Sequence, residues 1–312
     1  MLKYVPHSRI KNQESSMLNL ILSIFCSTLI ALVFKSFDKF KEVKLFPAIV
    51  VNYWVCASLG TAILGESPIT ETTFDEPWFP GAIMLGMFFI GTFYIIGLTI
   101  SIFGVAISAV TQRMSLVIPV IFAFLHYNEE LTLIKGIGIF LAMLAVVLTN
   151  IKTKEEKLLK KATKRNWFVW LLPIILFSVS GFVEVVLQYL QRSYFDASNA
   201  AQLPFTILLF GTSAVIGLVV LIINYVRNKS VINYQSVLGG IALGIPNLGS
   251  IYFLLKVLGE MEGSVVFPIN NVAVIVLVGI IAFFVFKEKL TKINILGVLL
   301  AVLAILFVGV WG

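Results

Sequence analysis

Ten continuous apolar stretches, none shorter than 17 residues, take up most of this sequence: 18–34, 46–65, 79–100, 104–127, 131–151, 167–190, 200–225, 237–258, 263–286 and 293–311. A hydrocarbon core about 30 Å thick is crossed by roughly 17–25 helical residues. The stretches do not alternate apolar and polar with period two, as barrel strands do, so they read as membrane helices. Composition points the same way, with 59% of residues hydrophobic and 12% charged, against about 25% charged in soluble chains. The expected solvent is the lipid bilayer, and the expected location is the plasma (inner) membrane, crossed many times. The net charge of +7 is no nucleic-acid footprint, because the lysines and arginines gather in the connectors between runs.

The basic connector 152–166 (KTKEEKLLKKATKRN) divides the chain nearly in half, and the halves repeat. Pro47 and Gly60 of the second run are matched by Pro204 and Gly217 of the seventh, at an offset of 157 residues. Gly81, Gly86, Gly91-Thr92 and Tyr94 are matched by Gly239, Gly244, Gly249-Ser250 and Tyr252, at an offset of 158. Glu129-Glu130-Leu131-Thr132 with Gly138 is matched by Glu288-Lys289-Leu290-Thr291 with Gly297, at an offset of 159. The expected organisation is a polar tail 1–16 (with Met17 an alternative start), a five-helix repeat 17–151, the connector 152–166 and a second five-helix repeat 167–312. Five is odd, so such twins lie upside down relative to one another, the arrangement that underlies alternating access.

Enzyme motifs are missing. The two histidines, His7 and His126, exclude an HExxH zinc site, and no glycine precedes a lysine as a phosphate-cradling loop requires. Asp38, Asp75 and Asp196 are scattered, and Cys26 and Cys56 lie inside apolar runs. No catalytic residue, metal or cofactor is expected.

The informative residues are polar groups at membrane depth. Arg113 stands near the centre of the fourth run beside Gln112, and Glu184 belongs to the stripe Ser180, Glu184, Gln188, Gln191 in the sixth. Those spacings lie on one helical face, and a face this polar must look onto protein or water. Asn247 follows Pro246 in the eighth run, and Asn270 and Asn271 follow Pro268 in the ninth. Proline removes a helical donor, so interruption at Pro246 and Pro268 would free carbonyls for a ligand. Arg113, Gln112, Glu184, Gln188, Asn247, Asn270 and Asn271 are therefore the candidate substrate-binding residues, lining a central cavity. The competing readings are an Arg113–Glu184 ion pair that locks the bundle, and asparagine hydrogen bonds that merely pack helices. Asn52, Tyr53, Tyr94 and Tyr252 read first as packing groups.

The segments PVIFAFLHYNEELTLIKGIGIFLAMLAVVL and VIVLVGIIAFFVFKEKLTKINILGVLLAVLAIL resemble the EamA-type ten-helix members of the drug/metabolite transporter superfamily. Each shows an apolar helix, an acidic-Leu-Thr turn and a glycine-bearing final helix. The resemblance runs over residues 17–311 and implies an all-α membrane fold of two inverted five-helix repeats. It also implies transport of a small solute. One departure is the acidic connector 66–77, where many relatives are basic. The resemblance implies cytoplasmic termini; the charges imply the reverse. Sixteen basic residues sit on the side of the 152–166 connector and six on the other, which places that connector in the cytoplasm.

The expected function is secondary transport of a small polar or amphipathic metabolite, an amino acid or related compound being favoured, coupled to protons or working by exchange. Its partners are the solute and the bilayer, with a homodimer left open. The alternatives are a membrane-embedded enzyme and a non-transporting receptor or scaffold.

Overall fold

The structure is a computed structural model of the chain. It describes residues 7–37, 42–103, 105–130, 132–149, 171–195, 201–228, 232–285, 291–309 and 311. Among these the regular elements are helices: α1 (His7–Phe37), α2 (Leu45–Leu64), α3 (Phe79–Phe103), α4 (Val105–Met114), α5 (Val117–Tyr127), α6 (Leu133–Thr149), α7 (Leu171–Tyr194), α8 (Gln202–Asn228), α9 (Tyr234–Glu260), α10 (Gly263–Val285) and α11 (Lys292–Gly309). A single 3-10 turn, Thr73–Asp75, lies in the acidic connector. The connector 152–166 and the Glu288-Lys289-Leu290 part of the second turn motif lie outside the described residues.

Among the described residues, seven helices are long and apolar enough to cross a membrane: α1 from Ser15 onward, α2, α3 as far as Ile96, α7, α8, α9 and α10 as far as Ile281. The chain is a multi-pass integral membrane protein. Helices α6 and α11 are apolar but shorter.

Two expectations about breaks are corrected. The fourth run is two helices, since α4 ends at Met114 and α5 begins at Val117. Pro119 lacks the N–H that would bond Ser115 O, and that carbonyl accepts from Ile118 N at 2.9 Å instead. Ser115 Oγ adds to the break by donating to Gln112 O at 2.5 Å, and Leu116 N reaches back to Arg113 O at 3.4 Å. By contrast, α9 and α10 run unbroken through Pro246 and Pro268. Each proline deprives one carbonyl, of Ala242 and of Ser264 respectively, and packed membrane helices tolerate that loss.

The chain divides into two compact units, residues 1–87 with 186–262 and residues 88–185 with 263–312. In the first, α2 packs against both α8 and α9, and α1 packs against α9. The core of α2 is Ala48, Ile49, Tyr53 and Cys56, and Tyr53 stacks on Phe210 of α8 with centroids 5.9 Å apart. Glycines bring the backbones close. A Cβ on Gly86 would lie 2.5 Å from Thr212 Cβ and 2.7 Å from Leu209 O. A Cβ on Gly244 would lie 2.6 Å from Val55 Cβ and 2.9 Å from Asn52 O. Gly240, one turn away from Gly244, meets Val51 and Ala48 O in the same way.

Those close approaches come in pairs. Leu209 and Thr212 follow Asn52 and Val55 by 157 residues, and Gly244 follows Gly86 by 158. A hydrogen bond repeats at the same spacing, with Ser213 Oγ donating to Gly86 O at 2.9 Å and Cys56 Sγ donating to Gly244 O at 3.2 Å. The Gly86 and Gly244 contacts, each with its hydrogen bond, are thus counterparts that run in opposite directions between the two halves of the sequence.

In the second unit, α6 and α11 pack closely through Ala142, Ala145, Ala301 and Ala304, with Val272 of α10 against them. Gly138 admits Val308, whose Cγ2 would be 2.6 Å from an added Cβ. The turn motif explains where these helices begin. Thr132 Oγ1 accepts from Lys135 N at 3.1 Å and Thr291 Oγ1 accepts from Asn294 N at 3.2 Å. Each threonine is the N-cap that satisfies an orphan N–H of the first turn.

Candidate functional site

Three candidate residues come together within the second unit. Arg113 stands in the last turn of α4, directly before the break. Its Nη1 donates to Asn271 Oδ1 of α10 at 2.7 Å. Asn271 is buried, and its Nδ2 donates to Phe267 O at 3.0 Å, one turn earlier in its own helix. Glu184 of α7 faces both, electrostatically towards Arg113 and through a polar side-chain contact with Asn271. Its Oε2 is buried and has no hydrogen-bond partner among the described residues.

A neutral amide thus stands between a cation and an acid. A lone charge at the centre of a membrane helix costs roughly 2.5–3.5 kcal/mol on insertion scales. Opposite charges facing one another offset part of that cost, and the amide supplies a hydrogen bond to the guanidinium. The position of Arg113 at the end of α4 helps too, since the last carbonyls of a helix carry partial negative charge.

The other candidates fall elsewhere. Gln112 contributes its carbonyl to the break through Ser115. Asn270 is buried beside Asn271 in sequence, at 7% exposure. Asn247 belongs to the first unit, where its Nδ2 donates to Asn52 Oδ1 at 3.1 Å, which is the packing arrangement. Gln188 also belongs to the first unit; it is fully buried, and neither amide atom has a partner among the described residues. A buried amide without partners is costly, so Gln188 keeps its interest. Tyr94 is exposed, whereas its matched residue Tyr252 lies under Lys256 Nζ, 4.7 Å from the ring centroid. Among the described residues no group of three or more histidine, cysteine or acidic side chains is placed to hold a metal.

Sequence reasoning missed a part for Glu129. Its carboxylate accepts from Gly263 N at 3.2 Å and from Ser264 N at 3.1 Å, capping the first turn of α10. The signal was present in the acidic position of the turn motif, but its partners lie 134 and 135 residues away. An acid at a helix N-terminus stabilises by about 0.3–1 kcal/mol, up to about 2 when partly buried. Glu129→Ala is accordingly expected to lower the thermal unfolding midpoint of the purified protein, and Glu129→Gln to recover part of it. Equal midpoints for all three proteins would remove this role.

No family model matches the sequence. The chain is similar to an uncharacterized protein of Haemophilus influenzae, with 27% identity over 296 residues, covering 92% of this chain and 96% of the relative. It shares its fold with a protein of known crystal structure, at a TM-score of 0.73 and 13% identity, covering 96% of this chain and 97% of the other. At that identity the second likeness is one of fold alone.

Proposed function

We propose that this protein is a secondary transporter of a small polar or amphipathic metabolite, an amino acid or related compound being favoured. On this reading it is an EamA-type drug/metabolite transporter with ten membrane passes in two inverted five-helix repeats. Arg113, Glu184 and Asn271 form the substrate site. The observation that carries the reading is the Arg113–Asn271–Glu184 arrangement beside a helix broken within the fourth apolar run. Discontinuous membrane helices with polar residues at the break are how transporters hold solutes. The reciprocal contacts at offsets of 157 and 158 residues support the inverted repeat.

Arg113 offers a planar, permanently charged fork for a carboxylate or phosphate. Glu184 offers an acceptor for an amine, or a base for a proton when the substrate leaves. A zwitterion engages both. Solute binding alternates between the two faces of the membrane without nucleotide hydrolysis.

The test is uptake of radiolabelled amino acids and other small metabolites by proteoliposomes of the purified protein, against protein-free liposomes. Saturable uptake of at least one solute is expected. Uptake no greater than in empty liposomes across the whole set would overturn the reading.

A further inference from the structure

Resting on the transporter reading above, we infer that Asn271 is a placeholder for the carboxylate of the transported solute, so that the site selects carboxylate-bearing solutes. A guanidinium has five N–H donors in a fixed fork. Among the described residues Arg113 makes one hydrogen bond, from Nη1 to Asn271 Oδ1. The amide is held with its oxygen towards Arg113 because its nitrogen is tied to Phe267 O. One neutral oxygen on a five-donor cation leaves most of the fork open.

A carboxylate fits that fork better on both counts that matter. It has two oxygens to the amide's one, and a charge-assisted bond is roughly twice as strong as one to a neutral acceptor. An incoming carboxylate therefore displaces Oδ1 and takes Arg113. The second open end of the site is Glu184 Oε2, buried and without a partner among the described residues, which receives an ammonium group. An α-amino acid fills both ends in one step. The corresponding amine or amide engages Glu184 alone and leaves Asn271 on Arg113.

Displacement also gives Asn271 a part in release. When the carboxylate leaves, the amide returns to the guanidinium, so a bare cation never stands in the apolar interior. An uncompensated buried charge is the costly state, and a resident acceptor avoids it. Removing the amide should then tighten binding and slow turnover together.

The experiment uses proteoliposomes of the wild-type protein, Asn271→Ala and Asn271→Asp. The probes are the common L-amino acids, pyruvate and succinate, with the amino-acid amides and decarboxylated amines (for leucine, leucinamide and isoamylamine). Wild-type protein is expected to take up at least one carboxylate-bearing probe and to prefer it to its amide by about tenfold or more, the worth of one charged hydrogen bond. In Asn271→Ala, KM and kcat for that probe fall together. In Asn271→Asp, uptake falls at least about tenfold, because a resident carboxylate keeps Arg113. Amides or amines carried as well as the acids by wild-type protein would overturn the inference, a result that needs no variant to fold. A raised KM in Asn271→Ala, or no change in either constant, would also overturn it. Flux of neutral or cationic probes without any acid overturns the inference and leaves the transporter reading standing. No flux of any probe overturns both.

Discussion

Joint replacement of Arg113 by methionine and Glu184 by leucine is expected to leave a folded, membrane-inserted protein that has lost solute flux. Each charged hydrogen bond to a bound solute is worth about 1.5–3 kcal/mol, so loss of both ends should cost well over a hundredfold in kcat/KM. Stability should change far less, because a buried pair replaced by apolar groups of similar volume is often neutral or better. Either single replacement is the worse case for folding, since it strands the other charge at a cost of about 3–5 kcal/mol. Arg113→Lys keeps the charge and loses the fork, and flux should already be impaired. The measurements are size-exclusion behaviour, thermal unfolding and proteoliposome uptake on the same preparations. Full flux in a well-folded double variant would mean that the charges only lock helices together.

The second large effect concerns the glycine contacts of the first unit. Gly86→Ala and Gly244→Ala should each destabilise by about 3 kcal/mol or more, at or beyond the upper end of ordinary overpacking. In both cases the new methyl meets a backbone carbonyl, at 2.7 Å from Leu209 O or 2.9 Å from Asn52 O. A carbonyl fixed in a helix cannot rotate away as a side chain can. Gly91→Ala provides the control: nothing lies within 4 Å of its added Cβ, and alanine is the better helix former by about 0.5–1 kcal/mol. Unfolding midpoints should fall for the first two variants, by similar amounts, and hold or rise for the third. A large difference between Gly86→Ala and Gly244→Ala would show that the matched contacts are not energetically matched.

The helices were legible in the sequence because lipid allows so little else. A segment crossing hydrocarbon must satisfy its own backbone and stay apolar throughout, and both demands are written locally. The breaks were less legible. Pro246 and Pro268 read as interruptions, and α9 and α10 pass through them, while the real division follows from Pro119 and Ser115 acting together. A proline frees a carbonyl, and whether the helix ends there depends on which donor that carbonyl then finds.

Of the site, Arg113, Glu184 and Asn271 were legible as polar residues that an apolar helix must account for. Their arrangement was not. Asn271 lies 158 residues from Arg113, and nothing local marks it as the amide that takes the guanidinium. Asn247 looked like its counterpart and is paired instead with Asn52. The two asparagines follow prolines alike, and only the opposite helix decides which meets a charge and which meets another amide.

The divided fourth run also has a consequence for water. At 1.5 Å per residue, α4 and α5 are each about 15–16 Å long, half of a hydrocarbon core of about 30 Å. On the ten-pass reading proposed above, their junction falls where a bilayer is driest. Helix ends leave amide and carbonyl groups that the helix itself cannot satisfy, and lipid offers them nothing. Bonds from Ser115, Leu116 and Ile118 to the carbonyls of Gln112, Arg113 and Ser115 settle part of that demand, and on this reading water is expected to settle the rest. Deuterium from the bulk should then label the Ser115–Val117 amides while the centre of α6, in the same unit and buried around Ala142 and Ala145, stays protonated. On that reading such a chain thins the membrane's dielectric barrier from inside, along one divided run, before any solute has bound.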